Sequence, residues 1–155
     1  MYLLQRLRPQ LTVKAAATIY KSMLVPLFTY CSLVTCQSSN TYKNKVKSFE
    51  KRARDIICKG NMHQTSLPTI ENIINKRLCQ NVYKCLTGDV CETLQTYFEI
   101  MNNNTRNKGI LIRLPKVKLE CYKKSFYFNG AKCFNQLPSE VRAAENFNDF
   151  NKFFE

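Results

Sequence analysis

The feature that most restricts the fold is a long uncharged stretch near the start of the chain. From Ser22 to Tyr42 no side chain carries a formal charge, and the strongly apolar part, Met23 to Cys36, is 14 residues long and contains Pro26. A membrane-spanning helix needs about 20 mostly apolar residues, so this stretch is too short to cross a bilayer. The pattern therefore predicts buried core helices, with an end or a kink at Pro26.

Helical periodicity surrounds this stretch. Thr12 is a suitable N-cap for a helix that contains three consecutive alanines. From Tyr42 to Lys59, apolar residues recur every three or four positions with cationic residues between them, as in an amphipathic helix. Pro68 opens a further helical pattern that Gly88 ends, and Asp89 is a suitable cap for the next helix.

A polar break separates this helical part from the rest of the chain. Residues Asn102 to Gly109 include three consecutive asparagines and no large apolar side chain. Beyond the break, Ile110 to Leu119 fits an extended stretch or a short edge strand around Pro115, and Asn146 can cap a last amphipathic helix. We therefore predict a mainly α fold. A small helical bundle at 1–101 and a linker at 102–109 would precede a mixed segment at 110–155, with helices and room for a short strand.

The cysteines do not form a metal-binding or disulfide pattern. The chain has eight cysteines, no Cys-x-x-Cys pair and a single histidine, His63. No apolar signal core follows Met1, where Gln5, Arg6 and Arg8 stand instead. We expect a reduced, intracellular protein with buried, unreactive thiols, in either the nucleus or the cytoplasm, and no metal or other cofactor.

Residues for catalysis are sparse. The aspartates are Asp55, Asp89 and Asp149, with no adjacent pair that could hold the two metal ions of a polymerase. His63 and Cys58 have no evident orienting partner for nucleophilic catalysis. The four glycines are too far apart for a phosphate-binding loop. We therefore expect neither an enzyme nor a small-molecule substrate.

The charge favours a polyanionic partner. Lys and Arg number 24 against 11 Asp and Glu, which gives a net charge of +13. Two clusters supply the candidate residues for binding the backbone of RNA or DNA: Lys43, Lys45, Lys47, Lys51, Arg52, Arg54 and Lys59, and then Arg106, Lys108, Arg113, Lys116, Lys118, Lys123 and Lys124. Aromatic residues beside the second cluster can stack on single-stranded bases, namely Tyr122, Phe126, Tyr127 and Phe128. The competing interpretation is a solvated helix face and core aromatic residues.

A series of short stretches along the sequence is informative when taken together. These stretches are Leu4-Gln5-Arg6-Leu7-Arg8-Pro9-Gln10-Leu11-Thr12, Ile19-Tyr20-Lys21-Ser22, Pro26, Phe28-Thr29-Tyr30-Cys31-Ser32, Lys51-Arg52-Ala53-Arg54-Asp55-Ile56-Ile57, Asn104-Thr105-Arg106, Lys124-Ser125-Phe126, Asn129-Gly130-Ala131-Lys132, Phe134-Asn135 and Leu137-Pro138-Ser139-Glu140-Val141-Arg142. Together they resemble the region downstream of the palm in non-LTR retrotransposon reverse transcriptases of the jockey and CR1-like kind. Their order covers nearly the whole chain. The family's usual Trp after the Tyr-Cys-Ser element is absent, as is the Cys and His knuckle that ends some relatives.

This resemblance implies a thumb-like region up to about Lys59, followed by the C-terminal segment of the polyprotein. The family's catalytic Ala-Asp-Asp element would lie upstream. The predicted function is therefore a non-catalytic fragment of an RNA-directed DNA polymerase polyprotein that binds nucleic acid without sequence preference. Two alternatives remain: a genomic relic with no function of its own, suggested by a start at Met1 inside the thumb region, or a helical protein-interaction module that uses the face from Phe147 to Phe154.

Overall fold

The computed structural model describes residues 2–35, 38–58, 67–101 and 110–154. The chain divides into two compact units, Met1–Ile73 and Ile74–Glu155. The described residues are mainly helical, which confirms the predicted fold class. In these ranges there is no helix long and apolar enough to span a membrane.

The first unit contains five helices in its described part and the beginning of a sixth. They are α1 (Tyr2–Leu7), α2 (Val13–Ile19), α3 (Val25–Thr29), α4 (Ser32–Thr35), α5 (Asn40–Cys58) and α6 (Ile70–Thr87), which continues into the second unit. A short 3-10 helix, Arg8–Gln10, follows α1. Thr12 caps α2 as predicted, because its hydroxyl accepts a hydrogen bond from the N–H of Ala15 at 3.2 Å.

The core of the first unit forms where α2 packs against α5. Ala16 and Ala17 of α2 are buried beside Ala53 and Ile57 of α5. Alanine side chains are small, so the two helix backbones can approach closely while still excluding water. The predicted periodicity of α5 is confirmed, since Ala53 and Ile57 lie one turn apart on its buried face.

Pro26 does not end the helical path. The segment Tyr20–Leu24 is a π-helix, in which the N–H of Val25 donates to the carbonyl of Tyr20. This wider turn directly precedes the proline, and α3 then runs to Thr29. The helices separate only at Tyr30 and Cys31, where Cys31 has a φ of 52°.

The prediction that the uncharged stretch is buried holds for only one of its faces. Val25 and Thr29 are buried, whereas Leu27 is 73% exposed and Tyr30 is 77% exposed. The prediction treated every uncharged residue as a core residue. A helix at the surface buries only one stripe of its side chains, so uncharged residues outside that stripe can be exposed.

Arg8 connects the start of the chain to the end of α5. Its side chain is buried, and its Nε donates to the carbonyls of Ile56 at 3.1 Å and Ile57 at 2.9 Å. Its Nη1 donates to the carbonyl of Leu11 at 2.6 Å. The last carbonyls of a helix have no partner within the helix and carry a partial negative charge, so a buried guanidinium satisfies them well.

The second unit contains the rest of α6 and five shorter helices in its described part. They are α7 (Glu92–Gln95), α8 (Glu120–Lys123), α9 (Phe126–Asn135), α10 (Ser139–Arg142) and α11 (Phe147–Lys152). Gly88 ends α6 with a φ of 85°, as predicted. Asp89 does not cap the next helix. Its carboxylate instead accepts a hydrogen bond from the Thr87 hydroxyl at 2.9 Å, and α7 begins after Cys91.

Residues on both sides of the expected linker share the core of the second unit. This core contains Val82 and Phe98 from before the linker, and Ile112, Phe134 and Phe150 from after it. The division between the compact units therefore falls at Ile73 and Ile74, not at 102–109. The expected linker itself lies outside the described residues.

Side chains, not a sheet, hold the extended segment that begins at Ile110. Asn135 brackets Ile112: its amide donates to the Ile112 carbonyl at 2.8 Å, and its carbonyl oxygen accepts from the Ile112 N–H at 3.0 Å. The buried Arg142 donates to the carbonyl of Ile110 at 2.8 Å. Within the described residues the predicted short strand is reduced to one isolated antiparallel bridge, Ile100 with Ile112.

The phenylalanine face of α11 belongs to the core. Phe150 is fully buried and stacks on Tyr83 with ring centroids 4.6 Å apart, while Phe147 and Phe154 pack against the same cluster. Phe153 alone of these rings is half-exposed. Most of the surface that was expected to bind a protein partner is therefore used by the core of the second unit.

Candidate nucleic-acid interface

Helix α5 turns its cations away from the core. Lys43, Lys45, Lys47, Lys51 and Arg52 are all exposed, while Ala53 and Ile57 are buried on the other side. At about 100° per residue, positions three, four or seven apart lie on one face. The cations therefore form two rows along the helix. One row contains Lys45, Ser48 and Arg52, and the other contains Lys43, Lys47 and Lys51.

The row of Lys45, Ser48 and Arg52 borders an open groove of about 500 Å³. The groove is also lined by Thr41, Asn44 and Phe49. No carboxylate in the described part of the chain forms an ion pair with Lys45 or Arg52. Two uncompensated cations, two hydroxyls and one amide thus face solvent on one side of a rigid helix, and all of these groups can donate hydrogen bonds to phosphate oxygens.

The second row is partly neutralised. Lys47 pairs with Glu71 at 3.1 Å, and both side chains are more than half exposed. Such a surface pair stabilises the fold by no more than about 1 kcal/mol, so a stronger polyanionic ligand can displace the glutamate. Lys43 and Lys51 extend the positive surface on either side of it.

Arg54 was predicted as a binding residue, but in the structure its side chain contacts other residues of the protein. Its Nη2 donates to Glu50 Oε1 at 2.6 Å and to the carbonyl of Leu67 at 3.2 Å. Glu50 is buried, so removing Arg54 would leave a carboxylate without its cation. The pair also lies near the Tyr20 hydroxyl. Burial raises the pKa of Tyr20 and Glu50 raises it further, while Arg54 lowers it.

The second cluster also contains two ion pairs among its described residues. Arg113 contacts Glu99 at 3.4 Å, and Lys123 donates to Glu120 at 2.6 Å. The Lys123 hydrogen bond lowers the pKa of Glu120. Lys116 and Lys118 are exposed on the segment that leads into α8, and Lys124 is half-buried. Lys59, Arg106 and Lys108 lie outside the described residues.

The aromatic residues of the second cluster divide into core and surface groups. Phe126 packs edge-on against the buried Phe98 at 5.5 Å and therefore belongs to the core, and Phe128 is half-buried. Tyr122 and Tyr127 meet with ring centroids 6.3 Å apart. Sequence reasoning missed Tyr97, whose ring lies 5.9 Å from Tyr127, because nothing in its local pattern indicates a partner 30 residues away.

The candidate acidic residues do not assemble into a metal centre. Asp55 lies in the first unit, whereas Asp89 and Asp149 lie in the second. Over the ranges that the structure describes, no three His, Cys, Asp or Glu side chains come together as metal ligands. Cys58 is buried, and its candidate partner His63 lies outside the described residues.

The prediction that the thiols are buried is wrong for three of them. Cys31, Cys91 and Cys121 are exposed, whereas Cys58, Cys79 and Cys85 are buried. The exposed thiols lie at turns and at helix starts, where the periodicity that places a side chain inside or outside is interrupted. Cys36 lies outside the described residues.

No protein-family model, curated protein or solved structure matches this chain. The resemblance to reverse-transcriptase polyproteins therefore stays a prediction from the sequence.

Proposed function

We propose that this chain is a non-catalytic, nucleic-acid-binding segment of a non-LTR retrotransposon RNA-directed DNA polymerase polyprotein. It holds RNA or DNA by the phosphate backbone. The observation that carries the proposal is the row of Lys45, Ser48 and Arg52 on α5, which is exposed and has no ion-pair partner among the described carboxylates.

The spacing of this row suits a polyphosphate strand. Lys45 and Arg52 are seven residues apart, which is about 10 Å along a helix that rises about 1.5 Å per residue. Successive phosphates of one strand advance about 3.4 Å along a duplex axis. The strand also winds around that axis, so two cations about 10 Å apart can contact two phosphates that are fewer than three nucleotides apart, and the Ser48 hydroxyl lies between the cations.

The stretch from Lys51 to Ile57, which resembles the retrotransposon polyproteins, contains residues that stabilise the fold and residues that can contact a ligand. Ala53 and Ile57 are buried, and Arg54 is bound to Glu50. This leaves Lys51 and Arg52 free to reach a ligand. Asp55 is exposed three positions after Arg52, so it limits how far phosphate contacts extend toward the end of the helix.

The experiment is a titration of labelled duplex DNA and RNA of about 20 base pairs at two salt concentrations. The test variant is Lys45→Gln with Arg52→Gln. The matched control is Lys14→Gln with Lys21→Gln, which removes the same charge from exposed positions in and after α2. The slope of log K against log salt is negative, and each phosphate contact adds about 0.9 to its magnitude. If Lys45 and Arg52 each contact one phosphate, the slope of the test variant should therefore be smaller in magnitude than the wild-type slope by about 2.

Two outcomes would contradict the proposal. Equal losses in the test and control variants would mean that net charge, not the α5 row, causes binding. Failure of the wild-type chain to bind either duplex more tightly than a charge-matched unrelated protein would remove the function altogether.

A second candidate function is a helical protein-interaction module that uses the exposed apolar side chains of the first unit. Met23, Leu27 and Tyr30 are exposed along the helical path that ends at Tyr30, and Val34 is exposed on α4. Large apolar side chains grouped on a surface favour a protein partner. Capture of one defined protein by the wild-type chain, lost in Leu27→Ser but kept in Lys45→Gln with Arg52→Gln, would favour this function.

A further inference from the structure

Three tyrosines of the second unit form a surface cluster that the α5 row does not explain. We call Tyr97, Tyr122 and Tyr127 the tyrosine cluster. The ring of Tyr127 lies between the other two, with centroids 5.9 Å from Tyr97 and 6.3 Å from Tyr122. Both outer rings stand nearly perpendicular to it, at 83° and 90°. An edge-to-face contact joins the edge of one ring to the face of the other, so each outer ring keeps at least one face that Tyr127 does not occupy.

The central ring of the tyrosine cluster packs on the core, and the two outer rings are exposed to solvent. Tyr127 packs on Phe98 at 5.7 Å, and Phe98 is buried in the core. The outer rings are exposed to similar extents, 45% for Tyr97 and 44% for Tyr122. A rigid base with half-exposed rings is suited to stacking, because little side-chain freedom remains to be lost on binding.

Cations lie on the segment that leads into the cluster. Lys116 and Lys118 are exposed before α8, the helix that contains Tyr122, and Lys123 follows Tyr122 and is paired with Glu120. The Arg113 and Glu99 pair acts on Tyr127 itself: burial raises the pKa of the Tyr127 phenol most, Glu99 raises it further, and Arg113 lowers it. Aromatic faces beside lysine and arginine are the combination that binds single-stranded nucleic acid, with rings for the bases and cations for the phosphates.

We infer that the tyrosine cluster binds single-stranded RNA or DNA, with bases stacked on Tyr97 and Tyr122 and phosphates near Lys116, Lys118 and Arg113. A duplex hides its base faces, so it can use the cations but not the rings. The inference deepens the proposed function and rests on it in assuming a nucleic-acid ligand. It concerns a different unit of the chain and a different state of the nucleic acid.

The test measures binding of oligo(U), oligo(dT) and a duplex of equal length, about 15 nucleotides each. The chain has eight tyrosines and no tryptophan, so stacking is also visible as quenching of tyrosine fluorescence. The test variant is Tyr97→Leu with Tyr122→Leu. The matched control, Tyr2→Leu with Tyr30→Leu, removes two exposed tyrosines from the first unit. A third variant, Tyr97→Phe with Tyr122→Phe, keeps both rings.

We expect the leucine variant to lose about tenfold or more in affinity for each stacked base on a single strand, and little on the duplex. The phenylalanine variant and the matched control should bind like the wild-type chain. Because the exchanged side chains are half-exposed, helical circular dichroism should be unchanged in all variants. Tighter binding of oligo(U) than of oligo(dT), or the reverse, would assign the ligand to RNA or DNA.

Three results would overturn the inference. The first is equal loss in the leucine variant and the matched control, and the second is a phenylalanine variant as weak as the leucine variant. The third is competition by polyglutamate as effective as that by unlabelled oligo(U), which would show that charge alone binds. If single strands fail while the duplex still depends on Lys45 and Arg52, the proposed function stands without this inference. If neither polymer binds, both fail.

Discussion

Gly130 and Val82 are packed so closely that a Cβ atom on residue 130 would lie 2.8 Å from Cγ2 of Val82. Gly130 is in the middle of α9, where glycine disfavours the helix by about 1 kcal/mol relative to alanine. Glycine is nevertheless required here, because Val82 is fully buried and its branched side chain has little freedom to move.

Gly130→Ala should destabilise the protein by up to about 2 kcal/mol, since overpacking costs about 1–3 kcal/mol and the gain in helix propensity offsets about 1 kcal/mol of it. The measurement is the free energy of unfolding in urea. Adding Val82→Ala makes room, so the double variant should be more stable than the sum of the single effects implies, by about 0.5 kcal/mol or more.

Gly88→Ala is the control for this cycle. A Cβ at position 88 would meet only the Gln95 side chain at 3.9 Å, so its cost of about 1 kcal/mol comes from the φ of 85° alone. Val82→Ala should not change that cost. Additive effects of Gly130→Ala and Val82→Ala would contradict the close contact.

Arg8→Met should destabilise the first unit by about 2–3 kcal/mol, because the carbonyls of Ile56 and Ile57 would lose their donors in a buried site. Arg8→Lys should be intermediate, since an ammonium keeps the charge but not the planar fork of donors. Thermal or urea unfolding measures both. Arg6→Met is the control at an exposed position, with an expected effect within about 0.5 kcal/mol. Equal effects at positions 6 and 8 would show that the Arg8 contacts do not stabilise the fold.

Alkylation by iodoacetamide should distinguish the thiols by exposure. Cys31, Cys91 and Cys121 should react first, while Cys58, Cys79 and Cys85 should react only when the chain opens. Peptide mass spectrometry after short exposures measures the order. Urea should remove the difference, and protection of the exposed thiols in the native protein would contradict the structure.

The Cys79 thiol should make stability fall at alkaline pH. Burial raises its pKa from 9.0 to about 12, and the neighbouring Cys133 contributes less. Because the folded state favours the protonated thiol, the stabilisation is fully present below pH 9 and is lost as the pH rises from 9 to 12. Tyrosines and lysines titrate in the same range, so the difference between wild type and Cys79→Ala isolates the effect.

That difference in the free energy of unfolding should shrink steadily above pH 9. A Cys79→Ala difference that stays constant to pH 12 would show that the thiol is not held in its neutral form by burial.

Local pattern was sufficient to predict some of the helices of this chain. The spacing of apolar residues from Tyr42 onward predicted α5 to within a residue or two of Asn40–Cys58, and Thr12 and Gly88 marked a helix start and a helix end correctly. These signals act within one or two turns of the chain, so the sequence displays them directly.

Contacts between distant residues were not predictable in this way. Arg8 reaches Ile57 across 49 positions, and Asn135 reaches Ile112 across 23. Both arginine and asparagine occur most often at the surface, so neither residue type signals a buried role. Arg54 was counted with the binding cations although Glu50 lies four residues earlier on the same helix, a spacing that allows an ion pair. Only the fold shows that Glu50 is buried and that Arg54 also donates to the carbonyl of Leu67.

The single bridge between Ile100 and Ile112 has a consequence for how the chain tolerates a break. The N–H of Met101 donates to the carbonyl of Leu111 at 2.7 Å, and the N–H of Arg113 donates to the carbonyl of Glu99 at 2.9 Å. Residues 99–101 and 111–113 are thus held together by these hydrogen bonds as well as by the chain that connects them. Phe98 and Ile112, one on each side of this stretch, also share the core of the second unit, so a protease cut within the stretch should leave the two pieces associated and an inserted peptide tag should leave the unit folded.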